Sequence, residues 1–258
     1  MAIAGPAQPA PKPKRYSLEG GLPPAAGKAL FVVLAVCAVL LPFLLDPLSS
    51  LLGDCTIALA YVILALGLNV VVGFAGLLDL GYVAFFAIGA YTVGWLASGF
   101  FSEANVHVGV SSFVNNLPGI HANFLIVLVV SMILCAIGGV LIGLPTLRLR
   151  GDYIAIVTLA FGEIIRVFAV NGDQISLPFS DAKLTAGRQG ITPVDQVQLP
   201  FLDQFTQLNL RPWYWLVLAL VFITLFVVIR LRDSRLGRAW IAIREDEVAA
   251  ASMGVPLV

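Results

Sequence analysis

Two oppositely charged residues lie close together inside an otherwise apolar stretch of the chain. Glu163 and Arg166 are three residues apart within residues 154–170, a spacing that places them on one face of an α-helix, where they can pair. In a membrane-spanning helix each charge costs roughly 2.5–3.5 kcal/mol at the centre, so we expect this face to point towards protein and not lipid. Two interpretations stay open, contact with a transported solute or an ion pair that fixes helix packing. The ion pair is favoured because a solute-binding group does not need its partner so close.

An apolar segment broken by glycine, residues 72–81, is the second unusual feature. Its polar residue is Asp79, it contains no cation, and Asn69 precedes it. Its glycines are Gly73, Gly76 and Gly81. Irregular backbone at membrane depth is tolerated only in protein or beside a cavity, and interrupted segments often mark the path through transporters. The alternative is a tight turn that uses glycine for positive φ, in which Asn69 and Asp79 cap helix ends.

The third feature is a half-apolar, charged stretch, residues 237–254, after the last apolar segment. It is rich in helix formers, and Gly254 followed by Pro256 supplies a stop. Arg244 and Glu247 are spaced to pair on its surface. A short helix of this kind after a membrane span is suited to docking into a groove on another protein. The alternative is a helix lying on the lipid surface, but the three consecutive acids at 245–247 argue against anionic lipid.

Motifs that would indicate an enzyme are missing from the sequence. It contains no GxSxG, HExxH or GxxxxGK[ST] pattern, so if ATP drives this protein, another subunit hydrolyses it. His107 and His121 fall in a connecting loop without companion ligands, and no metal site is predicted. A formal net charge of zero excludes a strongly basic nucleic-acid binder.

The composition indicates that membrane helices position these residues. The chain is 59% hydrophobic and 12% charged, whereas soluble domains are roughly 45–50% apolar and about 25% charged. Six apolar segments of 17 to 21 residues are long enough, at about 1.5 Å per residue, to span a bilayer with their flanks. They are residues 29–45, 55–72, 82–101, 124–144, 154–170 and 213–229. The fold predicted is all-α, a polytopic transmembrane helix bundle with a broken or re-entrant segment.

The distribution of cations predicts the orientation of this bundle. With the N-terminus in the cytoplasm, alternate crossings place 11 of the 15 Lys and Arg residues inside and three outside, with Arg166 in a span, in agreement with the positive-inside rule. Residues 1–28, rich in proline and cations, are predicted to be a disordered cytoplasmic arm. Residues 29–229 then form the transmembrane domain, and residues 230–258 a cytoplasmic loop.

Several stretches resemble one family, the high-affinity branched-chain amino acid ABC permeases, in their M-type subunit. The pattern Gly-Arg-Ala-x-x-Ala-x-Arg-Glu-Asp-Glu-x-Ala-Ala at 237–250 is similar to the coupling loop of that family. Further similar stretches are residues 67–73 with Gly76, 80–91, and 147–159 with 162–164 and Arg166. The chain departs from the family's Thr-Gly-Gly-x-x-Gly at Thr185-Ala186-Gly187-Arg188-Gln189-Gly190, which leaves the role of the first glycine open.

The resemblance implies a transport subunit in a bacterial inner membrane, and not an enzyme. It implies an alternating-access pathway for branched-chain amino acids, with urea or short amides as alternative substrates. The implied partners are two ABC ATPases, which bind ATP and Mg²⁺, an H-type permease subunit and a periplasmic solute-binding protein; no cofactor is expected on this chain. A different class, an ion-coupled secondary carrier, needs titratable groups in the membrane, for which only Glu163 and Asp79 are candidates.

Two groups of site residues follow from these patterns and the resemblance together. Coupling to the ATPase is assigned to Gly237, Arg238, Ala239, Trp240, Arg244, Glu245, Asp246, Glu247 and Gly254. The translocation pathway is assigned to Asn69, Gly73, Gly76, Asp79, Gly81, Tyr82, Thr158, Glu163 and Arg166. Members of this family continue with further helices after the coupling loop, so the resemblance also leads us to expect that final helices are missing after Val258.

Overall fold

Long apolar runs form helices in this protein because a helix satisfies its own backbone hydrogen bonds. The computed structural model describes residues 24–102, 104–109, 117–146, 153–175, 183–197, 205 and 209–255. The chain divides into two units, residues 1–44 and 45–258. The described part of the first unit is a single helix, α1 (Pro24–Leu44), whose large apolar side chains are mostly exposed.

The second unit contains the remaining apolar helices. They are α2 (Ser50–Asn69), which continues as a π-helix (Val70–Ala75), α3 (Val83–Leu96), α4 (Phe124–Thr146), α5 (Tyr153–Asn171), which continues as a 3₁₀ turn (Gly172–Gln174), and α6 (Arg211–Asp233). Within the described ranges, α2, α4, α5 and α6 with these extensions are long and apolar enough to cross a membrane, whereas 29–44 and α3 form shorter apolar helices. Each of the six predicted segments thus forms a helix, and the predicted helical membrane bundle is confirmed.

The helices of the second unit expose large apolar side chains that water would disfavour. On α4, Met132, Val140 and Leu141 are all exposed, although α4 packs against α3 and α5. A helix that is apolar all round and only partly covered is typical of a membrane span. The chain is therefore a multi-pass membrane protein.

One end of this unit carries a short sheet that the prediction of an all-α fold left as loop. Its strands are β1 (Ala97–Ser98), β2 (Val106–Val108) and β3 (Ile120–Ala122), in the order β1-β3-β2. β1 runs antiparallel to β3 and β2 parallel to it, with His107 opposite His121. Residues 183–197 join them through a bridge between Ser98 and Val194. We call these strands with residues 183–197 the sheet end.

The opposite end collects the π-helix, the turn at 76–82, the first half of α5, and α7 (Arg235–Glu245), which follows α6 directly. We call this group the α7 end. The single helix predicted over 237–254 is divided here, because Asp246 is extended (φ −158°, ψ 107°) and its side chain accepts hydrogen bonds from the Val248 and Ala249 amides. Asp is among the best N-cap residues, so it begins a new helix, α8 (Glu247–Ser252).

Candidate functional site

The break in α2 is built around two glycines of the predicted pathway group. A Cβ at Gly73 would lie 3.0 Å from Cγ of Asn69 and closer still to its Oδ1, so the Asn69 amide occupies space that only glycine leaves free. The π-helix ends at Gly76, whose φ of 72° is a left-handed conformation that glycine adopts without strain. The alternative interpretation of this segment, a turn that uses positive φ, is confirmed for Gly76.

The turn after the π-helix packs directly on the first half of α5. A Cβ at Gly81 would lie 2.9 Å from the carbonyl carbon of Thr158 and closer still to its oxygen. The Leu80 amide donates to Thr158 Oγ1 at 3.0 Å, and this buried hydroxyl donates to the Ala155 carbonyl at 3.2 Å. Glycine at 81 is therefore required by close backbone approach and not by its φ.

Asp79 and Tyr82 hold the same turn by local contacts. Asp79 Oδ1 accepts a hydrogen bond from the Gly81 amide at 2.8 Å, the short-range turn contact typical of Asp. A Cβ at Gly67 would lie 2.7 Å from Cζ of Tyr82, so the Tyr82 ring reaches α2 where that helix has no side chain. The predicted pathway residues from Asn69 to Thr158 are thus brought together at the α7 end.

α7 leaves α6 through a turn that also requires glycine. The Ser234 hydroxyl accepts from the Gly237 amide at 3.1 Å and donates to the Leu231 carbonyl at 2.6 Å. A Cβ at Gly237 would lie 2.6 Å from the Arg232 carbonyl oxygen and closer still to that of Leu231. Gly237 is buried, so the direction of α7 is set by this turn.

The remaining members of the predicted coupling group differ in how far they are covered. Ala239 and Trp240 are half-buried, whereas Arg238, Glu245, Asp246 and Gly254 are exposed. Arg238 Nη1 donates to the carbonyl of Asp233 at 2.5 Å, the one hydrogen bond of this side chain within the described ranges. Gly254 ends the α8 region with a φ of 82°, as its predicted role as a stop requires. The exposed charges thus lie on the surface of α7 and in its junction with α8.

Arg244 connects the two predicted groups. Its Nη1 donates to the carbonyl oxygen of Gly73 in the π-helix. A Cβ at Gly76 would lie 2.9 Å from Cδ of Arg244 and 3.3 Å from its Cβ, so the aliphatic part of the arginine lies across that glycine. The predicted partner of Arg244, the Glu247 side chain, lies outside the described part of the structure. A residue assigned to ATPase coupling therefore contacts two residues assigned to the pathway.

Glu163 and Arg166 form the predicted ion pair away from this cluster. Arg166 Nε donates to both carboxylate oxygens at 3.0 and 2.9 Å, and Nη2 donates to Oε1 at 2.5 Å. Their side chains are 56% and 64% exposed. The prediction of pairing is confirmed, but the expected cover by protein is not provided by the described residues of this chain.

The sheet end contains a buried polar pair that sequence reasoning missed. His121 Nδ1 lies 2.6 Å from Asp195 Oδ2, and the His121 side chain is 2% exposed. The His107 ring stacks on His121 with 5.3 Å between ring centroids. Asp195 also donates its backbone amide to the Ala97 carbonyl at 2.7 Å. Because His121 and Asp195 are 74 positions apart, no spacing signal in the sequence connects them.

The altered motif at 185–190 lies at the same end, beside the last turn of α5. Thr185 Oγ1 donates to the Ala169 carbonyl at 3.0 Å and accepts from the Gly187 amide at 3.2 Å. Gly187 has a φ of 61°, whereas Ala186 has a φ of −86° and a ψ of 16°. An alanine is unstrained at Ala186, so the departure from the resembled pattern leaves the local backbone intact.

Comparison with known proteins finds one matching family and several relatives. Residues 50–257 match the family described as "Branched-chain amino acid transport system / permease component". The "High-affinity branched-chain amino acid transport system permease protein LivM" of Escherichia coli K12 is 38% identical over 248 residues, 88% of this chain and 51% of that protein. Its namesake in Salmonella typhimurium is 37% identical over 248 residues, with the same shares of the two chains.

A more distant relative is the "Probable branched-chain amino acid transport permease protein LivM" of Methanocaldococcus jannaschii, 26% identical over 213 residues, 75% of this chain and 56% of that protein. The chain spans about half the length of the curated relatives it matches. No solved structure matches it. On the extent of the family match and the identity to the two bacterial relatives, the chain belongs to the family of branched-chain amino acid transport system permease components.

Proposed function

We propose that this chain is a permease subunit of an ATP-driven importer and forms part of the pathway by which branched-chain amino acids cross a bacterial inner membrane. The observation that carries the proposal is the α7–α8 pair. It follows a membrane span through the tight turn at Gly237, exposes Arg238, Glu245 and Asp246, and contacts the broken end of α2. Family membership supports the same function.

In the proposed complex, two ATPases bind the exposed face of α7 and α8 and hydrolyse ATP with Mg²⁺. An H-type permease subunit completes the pathway, and a periplasmic solute-binding protein delivers the amino acid. The charges of α7 suit this role, because a helix that exposes both signs of charge beside an apolar span fits a protein groove better than anionic lipid. Free energy from ATP enters the membrane part at this helix.

The proposed orientation places the α7 end, and the N-terminus, in the cytoplasm. The count of 11 cations against three supports it. The contacts of β1 and β3 with residues 183–197 at the opposite end support the alternate crossings on which this count rests, because those crossings predict both segments on the same side. The sheet end then faces the periplasm and the binding protein.

The pair formed by Glu163 and Arg166 belongs to the pathway in this proposal. Both side chains lie within a span, and the described part of this chain leaves them uncovered. Charged groups at membrane depth face a water-filled cavity or another polar surface. An aqueous pathway between this chain and the H-type subunit meets that requirement.

The test is uptake by the complete transporter reconstituted into liposomes. With the full-length protein, both ATPases, the H-type subunit and the binding protein present, we expect ATP inside the liposomes to drive uptake of leucine, isoleucine and valine. Urea and acetamide serve as competing substrates. Leucine uptake driven by a proton or sodium gradient without ATP would contradict the proposal.

A further inference from the structure

The hydrogen bond from Arg244 reaches a carbonyl at the end of a helix. The last carbonyl oxygens of a helix have no intrahelical donor, and Gly73 lies three residues before the left-handed Gly76 that ends the π-helix. Among the described residues, no backbone amide outside the regular helices donates to Gly73, whereas both the Gly76 and the Leu77 amides donate to Val71. A cation is favoured at such a carboxyl end. The guanidinium of Arg244 therefore completes the end of the π-helix.

The side chain of Arg244 also fits into the space beside Gly76 that a Cβ there would occupy, which we call the seat. Its Cγ and Cδ lie where a side chain at Gly76 would be. A Cβ at Gly76 would therefore point at this side chain of α7. Arg244 of α7 thus contacts the π-helix in two independent ways. It donates to the Gly73 carbonyl, and its aliphatic part lies against Gly76, which has no side chain.

The contact between Arg244 and the π-helix lies where several elements of the bundle meet. The π-helix continues α2, and the turn that follows is bonded to α5 through Leu80 and Thr158 and leads into α3. α7 itself is joined to α6 at Gly237. From Gly237 to Arg244 α7 rises about 10 Å, so its two attachments lie at opposite ends of the helix.

We propose that Arg244 is a positioning residue that ties the docking helix to the π-helix, so that a movement of α7 is passed to the broken end of α2 and to the turn at 76–82. It acts inside this chain and not by touching the ATPase. π-helical turns are rare and are frequently found at functional sites, as a segment that takes part in coupling would be. This inference rests on the proposed function for its link to ATP. The contact of Arg244 with Gly73 and Gly76, which we call the tether, is a property of the chain itself.

Two other exposed arginines of α7, Arg235 and Arg238, differ from Arg244 in what their side chains contact. In the part of the chain that the structure describes, the Arg235 side chain makes no hydrogen bond or ion pair, and the Arg238 side chain bonds only to the Asp233 carbonyl, five residues before it. Arg244 alone among these three reaches a distant element, 171 residues away in sequence. Arg235→Met is therefore the matched control for Arg244→Met, since both remove one guanidinium from the same helix.

The first test does not depend on transport. Hydrogen–deuterium exchange is measured on peptides covering residues 70–82 in the full-length protein in nanodiscs. Removing the hydrogen bond of a charged group should raise exchange of these amides about tenfold in Arg244→Met, with Arg235→Met unchanged. Arg244→Lys, which keeps a charged donor, should recover part of the protection. Equal exchange in Arg244→Met and wild type would overturn the tether.

The second test measures coupling in the assembled transporter. Arg244→Met should co-purify with its ATPases as well as wild type does, yet import about tenfold less leucine per ATP hydrolysed. Loss of ATPase binding in Arg244→Met, with unchanged exchange at 70–82, would show instead that Arg244 is a docking contact. If wild type itself imports no leucine with ATP, the proposed function fails, while the exchange result still decides the tether.

A glycine variant tests the seat separately from the guanidinium. Asn tolerates positive φ better than other residues with a side chain, so Gly76→Asn mainly adds atoms where Arg244 lies. Its control is the double variant Gly76→Asn with Arg244→Met, which removes the side chain that the added atoms would meet. Gly76→Asn should reproduce the exchange and coupling phenotype of Arg244→Met, and the double variant should be no more impaired than Arg244→Met alone. Wild-type exchange in Gly76→Asn would contradict the seat.

Discussion

The two ends of the bundle are held together in different ways. At the sheet end, β1 and β3 are connected to residues 183–197 by a backbone bridge and by the buried pair of His121 and Asp195. α3 is connected to the same residues by the hydrogen bond from Trp95 Nε1 to the Leu184 carbonyl at 3.0 Å. At the α7 end, the contacts are close approaches at glycines and single hydrogen bonds, one accepted by Thr158 from the Leu80 amide and one donated by Arg244. Among the described residues, the sheet end is thus held by a buried polar pair and a backbone bridge, and the α7 end by glycine contacts and single hydrogen bonds.

This difference indicates where the molecule is able to change shape. Segments held by few buried contacts and by exposed hydrogen bonds open at lower free energy than cross-linked ones. Arg244 is exposed and its acceptor Gly73 is half-buried, whereas His121 is almost completely buried. We therefore expect the sheet end to keep its structure while the α7 end moves, and the following substitutions test that expectation from the largest to the smallest effect on stability.

Gly81→Ala should have the largest effect. The added Cβ meets the backbone of Thr158, which cannot rotate away as a flexible side chain would, and overpacking of this kind costs about 1–3 kcal/mol. Thermal unfolding of the purified protein in detergent measures the loss. Gly89→Ala, within α3 and with nothing within 4 Å of an added Cβ, is the control and should be neutral or slightly stabilising. Equal melting temperatures for the two variants would mean that the turn is looser than the structure has it.

Asp195→Ala should lower the stability of the sheet end by about 2 kcal/mol, because it leaves His121 Nδ1 buried without its partner. Asp195→Asn keeps an acceptor oxygen and should lose less. Limited proteolysis of residues 97–122 and 183–197, together with thermal unfolding, reports the change. If both variants unfold like wild type, the sheet end is not held by this pair and the comparison of the two ends fails.

Thr158→Val should cost about 1 kcal/mol, the usual value for one lost hydrogen bond, here the one accepted from the Leu80 amide. The two side chains have nearly the same shape, so packing is preserved. Thermal unfolding and hydrogen exchange at residues 77–82 measure the effect. Thr56→Val, which removes a hydrogen bond within α2 only, is the control and should leave exchange at 77–82 unchanged. Faster exchange at 77–82 in both variants would contradict a local role for Thr158.

Arg238→Glu and Glu245→Arg should change stability least, since both side chains are exposed, and surface charges contribute about 0–1 kcal/mol. Their expected effect is on function: the protein inserts into the membrane and unfolds like wild type, but ATP hydrolysis no longer drives uptake. Uptake and ATPase rates in the reconstituted transporter are the measurement. Wild-type uptake in either variant would count against docking through the exposed face of α7.

Much of the fold was predictable because its signals are local. Each apolar segment forms a helix, and the second helix loses its regular α form after Asn69 and ends at Gly76, within the glycine-containing segment. The pairing of Glu163 with Arg166 followed from their spacing. The division of the docking stretch at Asp246 was missed, although Asp is a strong N-cap, because helix-forming residues on both sides concealed the break. The short sheet was missed because strands of two and three residues show no periodicity.

The sequence by itself determined that this is a membrane helix bundle, since a run of apolar residues forms a self-satisfied helix whatever its neighbours are. It also determined the similarity to the permease family, which is carried by short contiguous motifs. Only the tertiary structure decided which polar groups meet: Leu80 with Thr158, His121 with Asp195, and Arg244 with Gly73. These partners are 78, 74 and 171 residues apart. Contacts at such separations depend on how whole helices pack, and side-chain spacing along the chain carries no record of that packing.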